Sequence, residues 1–215
     1  MGERQIILWR HGRTSWNAER RFQGQSDIEL DDEGRAQAER AAELLAYLEP
    51  DRIIASDLAR AWATAQALSV RTGVQVRADA RLRETFAGEW EGLSRAELLE
   101  RHGDEVARWA SDSAARPGGG ETRIEVADRV VAAITDGLDG LAESGTLVVA
   151  THGGAARAGI GALLELPPEQ WACLGVLSNC AWSILSENST GFGPAWRLQE
   201  YNAGSLPTPA LADDR

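Results

Sequence analysis

The chain has no lysine, and each of its 22 basic residues is an arginine. This absence excludes chemistry that depends on a lysine of the chain itself: Schiff-base formation, attachment of pyridoxal phosphate, and the phosphate-binding loop that carries a lysine. Arginine remains, and its planar guanidinium group can hold two oxygens of a phosphate at once. A GC-rich genome also favours arginine over lysine, and we assign most of the 22 residues to that cause.

Cysteines and long apolar runs are also scarce. The two cysteines, Cys173 and Cys180, make no disulfide framework, and we predict that both are buried free thiols. No apolar run approaches the roughly eighteen residues that a membrane helix needs, and the apolar stretch near the start is too short for a signal peptide. The sequence therefore predicts a cytoplasmic protein without a membrane partner. A net charge of -11 argues against a nucleic-acid partner.

Segments typical of strands alternate with segments typical of helices. The predicted strands are 5–9, 52–56, 74–78, 146–150, 180–186 and 195–201. The predicted helices are 31–48, 58–73, 94–103, 104–112, 122–143, one that follows the HGGA stretch at 152–155, and a short one from Pro167. This alternation predicts the α/β class, as a three-layer α/β/α sandwich with a mostly parallel central sheet.

The sequence also predicts how the chain is divided and where its helices begin. We expect a single domain over 1–204, with a helical subdomain at 85–121 over one end of the sheet, and a flexible tail at 205–215. Asp57 is placed to cap the helix that follows it. Two capping boxes are predicted, Ser94 with Glu97 and Thr122 with Glu125.

Chemically active residues follow four of the predicted strands at the point where each strand ends. They are Arg10, His11 and Gly12; Ser56, Asp57 and Arg60; Arg81, Arg83 and Glu84; and Thr151, His152, Gly153 and Gly154. In open α/β sheets, ligands bind at the carboxyl ends of the strands. We therefore expect two histidines, several arginines and one carboxylate to meet in a single crevice.

This combination of residue types suits the transfer of a phosphoryl group. A neutral imidazole is a competent nucleophile toward phosphorus, and arginines neutralise the oxygens of the transferred group. A second histidine adds charge or a hydrogen bond, a carboxylic acid protonates the leaving oxygen, and glycines let backbone N–H groups approach the phosphate. None of these roles requires a metal. Arg10 is expected to keep the adjacent His11 neutral, because a like charge disfavours the imidazolium form.

Each of these residues also has a simpler interpretation. A single loop histidine is more often structural than catalytic, and the pairing of His11 with His152 at two strand ends is what favours a site. His102, before Gly103, is interpreted as a surface residue at a helix C-terminus. The GIG stretch at 159–161 lies within a helix and does not indicate a dinucleotide site. No histidine pair has the local spacing of metal ligands.

Six stretches of the sequence resemble the histidine phosphatase superfamily, the phosphoglycerate mutase-like group. They are LWRHGRTSWN, RFQGQSDIELDDEGRAQA, IIASDLARAWATAQAL, RLRETFAGEWEGLS, PGGGET and VVATHGG, which together span roughly residues 5–155. The resemblance implies the phosphoglycerate mutase-like fold and a reaction through a phosphohistidine, without metal or cofactor.

The resemblance also implies roles for residues at matching positions. His11 is implied to be the nucleophile and Glu84 the proton donor to the leaving group. The implied catalytic residues are His11, Glu84, His152, Arg10 and Arg60. The implied phosphate-binding residues are Arg10, His11, Asn17, Gln23, Arg60, His152 and Gly153.

Two features place the chain in the phosphatase branch of this resemblance. The stretch TFAGEWEGLS after Glu84 is similar to the phosphatases, and the short segment from Glu84 to Gly118 implies a pocket open to water. The stretches QGQSDIELDDEGRAQA and LRETFAGEWEGL resemble actinobacterial phosphatases that act on glucosyl-3-phosphoglycerate. The implied activity is that of a phosphoric monoester hydrolase acting on a small phosphorylated metabolite. A phosphoglycerate mutase and a non-catalytic module that binds a phosphorylated ligand stay open as alternatives.

The late strand CAWSILS is interpreted as an exposed edge of the sheet. An exposed edge can pair with the same edge of a second copy. A homodimer is therefore predicted.

Overall fold

The first strand shows how the sheet is built. β1 (Gln5–Arg10) is a short apolar segment whose last five residues are buried, as expected of a strand covered on both faces. Its alternate side chains enter two hydrophobic clusters, Ile6 and Leu8 in one and Ile7 and Trp9 in the other. The computed structural model describes residues 3–204.

Five further strands complete a single sheet. They are β2 (Arg52–Ala55), β3 (Val76–Ala78), β4 (Thr146–Thr151), β5 (Trp182–Glu187) and β6 (Trp196–Ala203). The strand order is β3-β2-β4-β1-β5-β6. The first four strands in that order are parallel to one another. β5 then pairs antiparallel with β1, and β6 pairs antiparallel with β5. The carboxyl ends of β1, β2, β3 and β4 therefore meet at one edge of the sheet.

Helices cover both faces of the sheet. They are α1 (Ser15–Glu19), α2 (Asp32–Ala46), α3 (Ala59–Thr72), α4 (Arg95–Ser111), α5 (Arg123–Leu138) and α6 (Gly153–Leu163). α5 and α6 pack in the cluster that contains Ile6 and Leu8, and α2 and α3 in the cluster that contains Ile7 and Trp9. The predicted three-layer α/β/α sandwich with a mostly parallel sheet is thus confirmed. Short 3-10 helices lie at Ala80–Leu82, Gly88–Trp90, Pro117–Gly119 and Pro168–Cys173.

The segment between β3 and α5 forms a small apolar cluster together with Phe22, which lies between α1 and α2. It consists of Phe22, Ala87, Trp90, Leu98, Trp109 and Ala115. The predicted division into a single domain over 1–204 with a helical subdomain at 85–121 stays a prediction. The tail predicted to be flexible, 205–215, lies outside the described residues. Within residues 3–204, no helix has both the length and the apolarity required to cross a membrane.

Two helix predictions were wrong in their boundaries. α5 ends at Leu138 rather than near residue 143, because the chain turns at Gly140 with φ of 69°. The helices predicted at 94–103 and 104–112 form one helix with a kink at His102, where φ is -134°. His102 is not the surface residue that we predicted: its side chain is 19% exposed and its ring lies 6.3 Å from that of Trp90.

The prediction that Asp57 caps α3 was also wrong. The residue at the cap position is Leu58, which makes no side-chain cap. The carboxylate of Asp57 instead accepts two hydrogen bonds from Arg83. The N–H of Ala59 donates to Asp27 Oδ1 at 2.7 Å, so a loop distant in sequence satisfies the start of the helix. Both predicted capping boxes are present, at Ser94 and at Thr122.

The late strands differ from the predictions in position and exposure. β5, which contains most of CAWSILS, lies between β1 and β6 and is not an edge, because both of its sides form hydrogen bonds within the sheet. The edge on that side is β6. Cys173 and Cys180 are both free, but only Cys180 is buried, since Cys173 lies in an exposed 3-10 turn.

Candidate active site

His11 stands just after β1, where the strand still pairs with β4. Its backbone N–H donates to the carbonyl of Thr151. The Nδ1 atom lies 2.7 Å from the carbonyl oxygen of Gly12, which can only accept. Nδ1 therefore carries a hydrogen, and in the neutral ring Nε2 bears the lone pair. A side chain at Gly12 would collide with the chain, because its Cβ would lie 2.3 Å from the carbonyl oxygen of Gly34.

His152 lies immediately after β4 and at the cap position of α6. Its ring and that of His11 are 5.1 Å apart between centroids, at an angle of 61°. Nδ1 of His152 accepts from Nε of Arg60 at 3.2 Å, which leaves the hydrogen of the neutral ring on Nε2. Nε2 lies 2.8 Å from Oγ of Ser56, so it donates to that hydroxyl. Three strand ends thus meet at these two rings.

Both rings are held in the neutral form. Burial lowers the pKa of His11 well below its ordinary value of 6.5, and the charges of Arg60 and Arg10 lower it further. Burial also lowers the pKa of His152 well below 6.5, and Arg60 makes the largest charge contribution. The prediction that Arg10 helps to keep His11 neutral has the correct sign, but burial and Arg60 contribute more than Arg10 does.

The two site arginines are buried and are held by backbone oxygens. Arg60 is fully buried and donates to the carbonyls of Ser26 and Gly24 at 2.7 and 2.8 Å. Arg10 donates to the carbonyl of Leu177 at 2.6 Å. Gly153, at the start of α6, lies against this guanidinium group: a Cβ there would be 3.4 Å from Cζ of Arg10. The backbone of the helix start therefore adjoins a fixed positive charge.

Glu84 is positioned at the N-terminus of α6. Its Oε2 accepts from the N–H of Gly154 and its Oε1 from the N–H of Ala155, each at 2.9 Å. The N–H of Thr85 donates to Oε1 as well, at 2.8 Å. Because His152 occupies the residue position just before the same helix, the carboxylate and the second histidine are placed by one element.

The two predicted amide residues, Asn17 and Gln23, are buried and share a neighbour. The hydroxyl of Thr14 lies 2.9 Å from Oε1 of Gln23 and 3.1 Å from Oδ1 of Asn17. Nδ2 of Asn179 donates to Oδ1 of Asn17 and to the carbonyl of His11, each at 3.2 Å. This network connects the amides to the backbone of the first histidine.

Two of the arginines expected in the crevice are engaged elsewhere. Arg81 forms ion pairs with Asp79 and Asp136, and Arg83 forms one with Asp57. Of the residues after β3, the structure brings Glu84 to the start of α6 but pairs the two arginines with aspartates.

Other residues of the site were not found from the sequence. Arg129 of α5 donates to the carbonyls of Arg81, Arg83 and Glu84 at 2.6 to 2.9 Å, and its guanidinium also pairs with Glu121. It thereby holds the loop that carries Glu84. The sequence does carry a signal for Thr14, because Thr14 and Asn17 form a capping box at the start of α1, a helix that we did not predict. Asn179 and Arg129 have none, because their contacts depend on the tertiary fold.

Comparison with known proteins places the chain in a family. The model of the histidine phosphatase superfamily, branch 1, matches residues 6–203. A glucosyl-3-phosphoglycerate phosphatase of Mycobacterium tuberculosis (strain CDC 1551 / Oshkosh) is 39% identical over 95% of this chain and 97% of that protein. A probable phosphoglycerate mutase GpmB of Salmonella paratyphi C is 34% identical over 96% of this chain and 97% of that protein.

A solved structure agrees with these relatives. The mycobacterial glucosyl-3-phosphoglycerate phosphatase complexed with VO3 is 40% identical, with a TM-score of 0.87 over 94% of this chain and 100% of that chain. Both the resemblance to the superfamily and the resemblance to its glucosyl-3-phosphoglycerate phosphatases are thereby confirmed. The chain belongs to branch 1 of the histidine phosphatase superfamily and is an enzyme that hydrolyses phosphate esters.

Proposed function

We propose that the enzyme hydrolyses its substrate through a phosphohistidine formed at Nε2 of His11. The observation that carries this proposal is the fixed tautomer: the bond to Gly12 keeps the hydrogen on Nδ1 and the lone pair on Nε2. Burial and two arginines keep the ring unprotonated below its ordinary pKa. A neutral, oriented imidazole between positive charges is a nucleophile suited to an anionic phosphate.

The remaining residues have roles in two balanced steps. Nε2 of His11 attacks phosphorus, the bond to the ester oxygen breaks, and protonated Glu84 gives its proton to that oxygen. A water molecule then attacks the phosphohistidine, Glu84 takes a proton from it, and the nitrogen–phosphorus bond breaks to restore the neutral ring. Arg10, Arg60 and His152 stabilise the charge on the transferred group, with Asn17, Gln23 and the Gly153 backbone as further phosphate contacts.

The proposal is tested by removing the nucleophile. His11→Ala should reduce phosphate release by at least about a thousandfold, because removing one member of such a set costs that order. The matched control is His102→Ala, which removes a histidine at the kink of α4 and should retain activity. Wild-type protein that is denatured during turnover should carry a phosphoryl group that is stable to alkali, and His11→Ala should carry none. Full activity in His11→Ala would refute the role.

We propose that the reaction needs no metal ion and no cofactor, because arginines supply the positive charge. Activity should survive incubation with EDTA followed by gel filtration. Loss of activity that added Mg²⁺ or Zn²⁺ restores would overturn this part of the proposal.

For the substrate, we propose glucosyl-3-phosphoglycerate. Support comes from relatives of that name that match nearly the whole chain. A phosphate-release screen over sugar phosphates, phosphoglycerates and glucosyl-3-phosphoglycerate should rank the last highest by kcat/KM. A tenfold better kcat/KM for any other ester would contradict the assignment.

The alternatives to hydrolysis make different predictions in the same assay. The similarity to a probable phosphoglycerate mutase favours testing isomerisation directly. With 3-phosphoglycerate and 2,3-bisphosphoglycerate we expect more free phosphate than 2-phosphoglycerate, and the opposite ratio would indicate a mutase. A non-catalytic binding module would bind phosphate but release none from any ester in the screen.

We also propose that the protein is cytoplasmic and forms a homodimer. Because β5 lies inside the sheet, the edge available for pairing is β6. Light scattering should give the mass of two chains, and fractionation of the native cells should recover the protein with cytoplasmic markers. A mass of one chain, or recovery with the membrane or secreted fraction, would contradict the respective proposal.

A further inference from the structure

A groove outside the phosphate pocket reaches the residues that hold Glu84. Its narrow inner end, about 10 Å³, is lined by Thr85 and Gly154, whose backbone N–H groups both donate to the carboxylate of Glu84. A second cavity of about 370 Å³, which we call the outer part, adjoins this inner end, because the two share four lining residues: Trp109, Arg123, Arg157 and Trp171. The outer part runs between α4 and the turn at Pro168–Cys173. Its volume lies in the range of small-molecule sites.

The groove is positive although the protein is strongly acidic. Three arginines and one carboxylate line the outer part, Arg95, Arg123, Arg157 and Glu169, whereas the whole chain has a net charge of -11. A local reversal of charge of this kind attracts an anionic ligand.

Arg157 is the cation at the junction of the two parts. It is half-buried on α6 and forms no hydrogen bond or ion pair with any other residue of the described range 3–204. The nearby phenol of Tyr201 does not neutralise it, because burial raises the pKa of Tyr201 to about 12. Arg123, by contrast, lies 4.3 Å over the ring of Trp109 and donates to the carbonyl of Trp109 at 2.5 Å. A half-buried guanidinium group gains most from a bidentate anionic partner.

The ring of Trp109 lines both the inner end and the outer part, and it lies beneath the guanidinium group of Arg123. The groove wall also contains the half-exposed apolar side chain of Leu99.

We propose that this groove is the leaving-group subsite, in which Arg157 binds a carboxylate of the substrate and the outer part holds a bulky polar substituent. This inference rests on the proposed function, because the proton donor Glu84 defines the side on which the leaving group departs. The ligand class is a phosphate monoester of a hydroxy acid, and the phosphorylated acid carries a further substituent such as a sugar. The room beyond Arg157 is what distinguishes such a substrate from a three-carbon acid alone.

The carboxylate contact is tested with two matched esters. The two esters differ at one end: 3-phosphoglycerate has a carboxylate where glycerol 3-phosphate has a hydroxymethyl group. Arg157→Gln should lower kcat/KM for 3-phosphoglycerate by about tenfold to a hundredfold, the range for a hydrogen bond to a charged group, and change that for glycerol 3-phosphate less than twofold. Arg101→Gln, an exposed change on α4 outside the groove, is the matched control and should alter neither value. Equal losses on both esters, or none, would overturn the proposal.

The outer part is tested with a substitution at its wall. Leu99 is 50% exposed, so Leu99→Trp is compatible with folding and should fill part of the groove. It should lower kcat/KM for glucosyl-3-phosphoglycerate at least fivefold and leave that for 3-phosphoglycerate within twofold. An unchanged ratio between the two esters would contradict the assignment of the substituent to this groove.

A binding experiment separates this inference from the proposed function. Calorimetry with glucosylglycerate, the alcohol without phosphate, reports on the groove whether or not the protein turns over an ester. Binding to the wild type that weakens about tenfold in Arg157→Gln supports the subsite even if no ester is hydrolysed. Turnover of esters without any effect of Arg157→Gln on binding retains the proposed function and refutes the subsite.

Discussion

The two neutral histidines should make the folded protein less stable as the pH falls through the weakly acidic range. The pKa values of His11 and His152 lie well below 6.5 in the folded protein, while the unfolded chain has ordinary histidines. Below pH 6.5 the unfolded state therefore binds more protons than the folded state, and the free energy of unfolding decreases. Above that pH neither state is protonated, and the effect vanishes.

The size of this decrease in the free energy of unfolding follows from the one proton that each histidine binds in the unfolded chain. Each ring contributes a slope that approaches about 1.4 kcal/mol per pH unit below its ordinary pKa. Between about pH 7.5 and about pH 5.5 this amounts to a loss of about 1.4 kcal/mol for each histidine and about 2.7 kcal/mol for the pair. Since domains are stable by about 5 to 15 kcal/mol, urea titration detects this change.

Carboxylates do not obscure this pH window. Asp57, Asp79 and Glu187 accept hydrogen bonds from arginines that lower their pKa values below ordinary ones of 3.8 to 4.5. Their contribution is fully present above the ordinary pKa and is lost only as the pH falls below it. The range from about pH 7.5 to about pH 5.5 thus lies above the titration of these three carboxylates.

The experiment compares slopes rather than absolute stabilities. Urea unfolding, monitored by tryptophan fluorescence, gives the free energy of unfolding at each pH. Plotted against pH, this free energy should have a smaller slope in His11→Asn than in the wild type, and the difference should correspond to one bound proton. A change in overall stability caused by the substitution does not matter, because it shifts the whole curve. Equal slopes in the two proteins would show that His11 is not held neutral, and with that the case for an unprotonated nucleophile would fail.

Two further predictions concern α5. Arg129→Gln removes bonds to the loop of Glu84 and the pair with Glu121, and it should lower kcat at least tenfold with little change in KM, because it disturbs the proposed proton donor rather than the proposed phosphate contacts. An increase in KM at constant kcat, or no recovery in Arg129→Lys, would argue against a positioning role. Thr122→Ala removes the cap of α5 and should cost about 1 kcal/mol in urea unfolding, whereas Thr135→Ala in the same helix should cost less than about 0.5 kcal/mol.

The site could be predicted where it depends on strand ends. In a parallel sheet the carboxyl ends of all strands lie at one edge, so locating the strands is enough to bring His11 and His152 together. The capping boxes at Ser94 and Thr122 were equally predictable, because each involves residues only three apart.

Features that depend on pairing across the fold could not be predicted in this way. β5 has the alternation of an edge strand, but its place between β1 and β6 depends on which strands it joins. Asp57 has the residue type of a helix cap, yet Asp27, thirty-two residues away from Ala59, takes that role while Asp57 pairs with Arg83. In both cases a distant partner competes with the local preference and prevails.

The same competition separates the arginines that we assign to the phosphate pocket from those that pair with aspartates. Composition treats all 22 as equivalent, and position after a strand selected Arg81 and Arg83 as readily as Arg10 and Arg60. The structure separates them by the oxygens that they bind: the first two pair with aspartates, and the other two donate to backbone carbonyls. A carboxylate partner neutralises an arginine, whereas a carbonyl orients it and leaves its charge to act on a phosphate. In a chain rich in arginine, the partner that the fold brings to each guanidinium group therefore decides which arginine can act on an anion, since Asp57 lies only three residues from Arg60 in the sequence and yet pairs with Arg83.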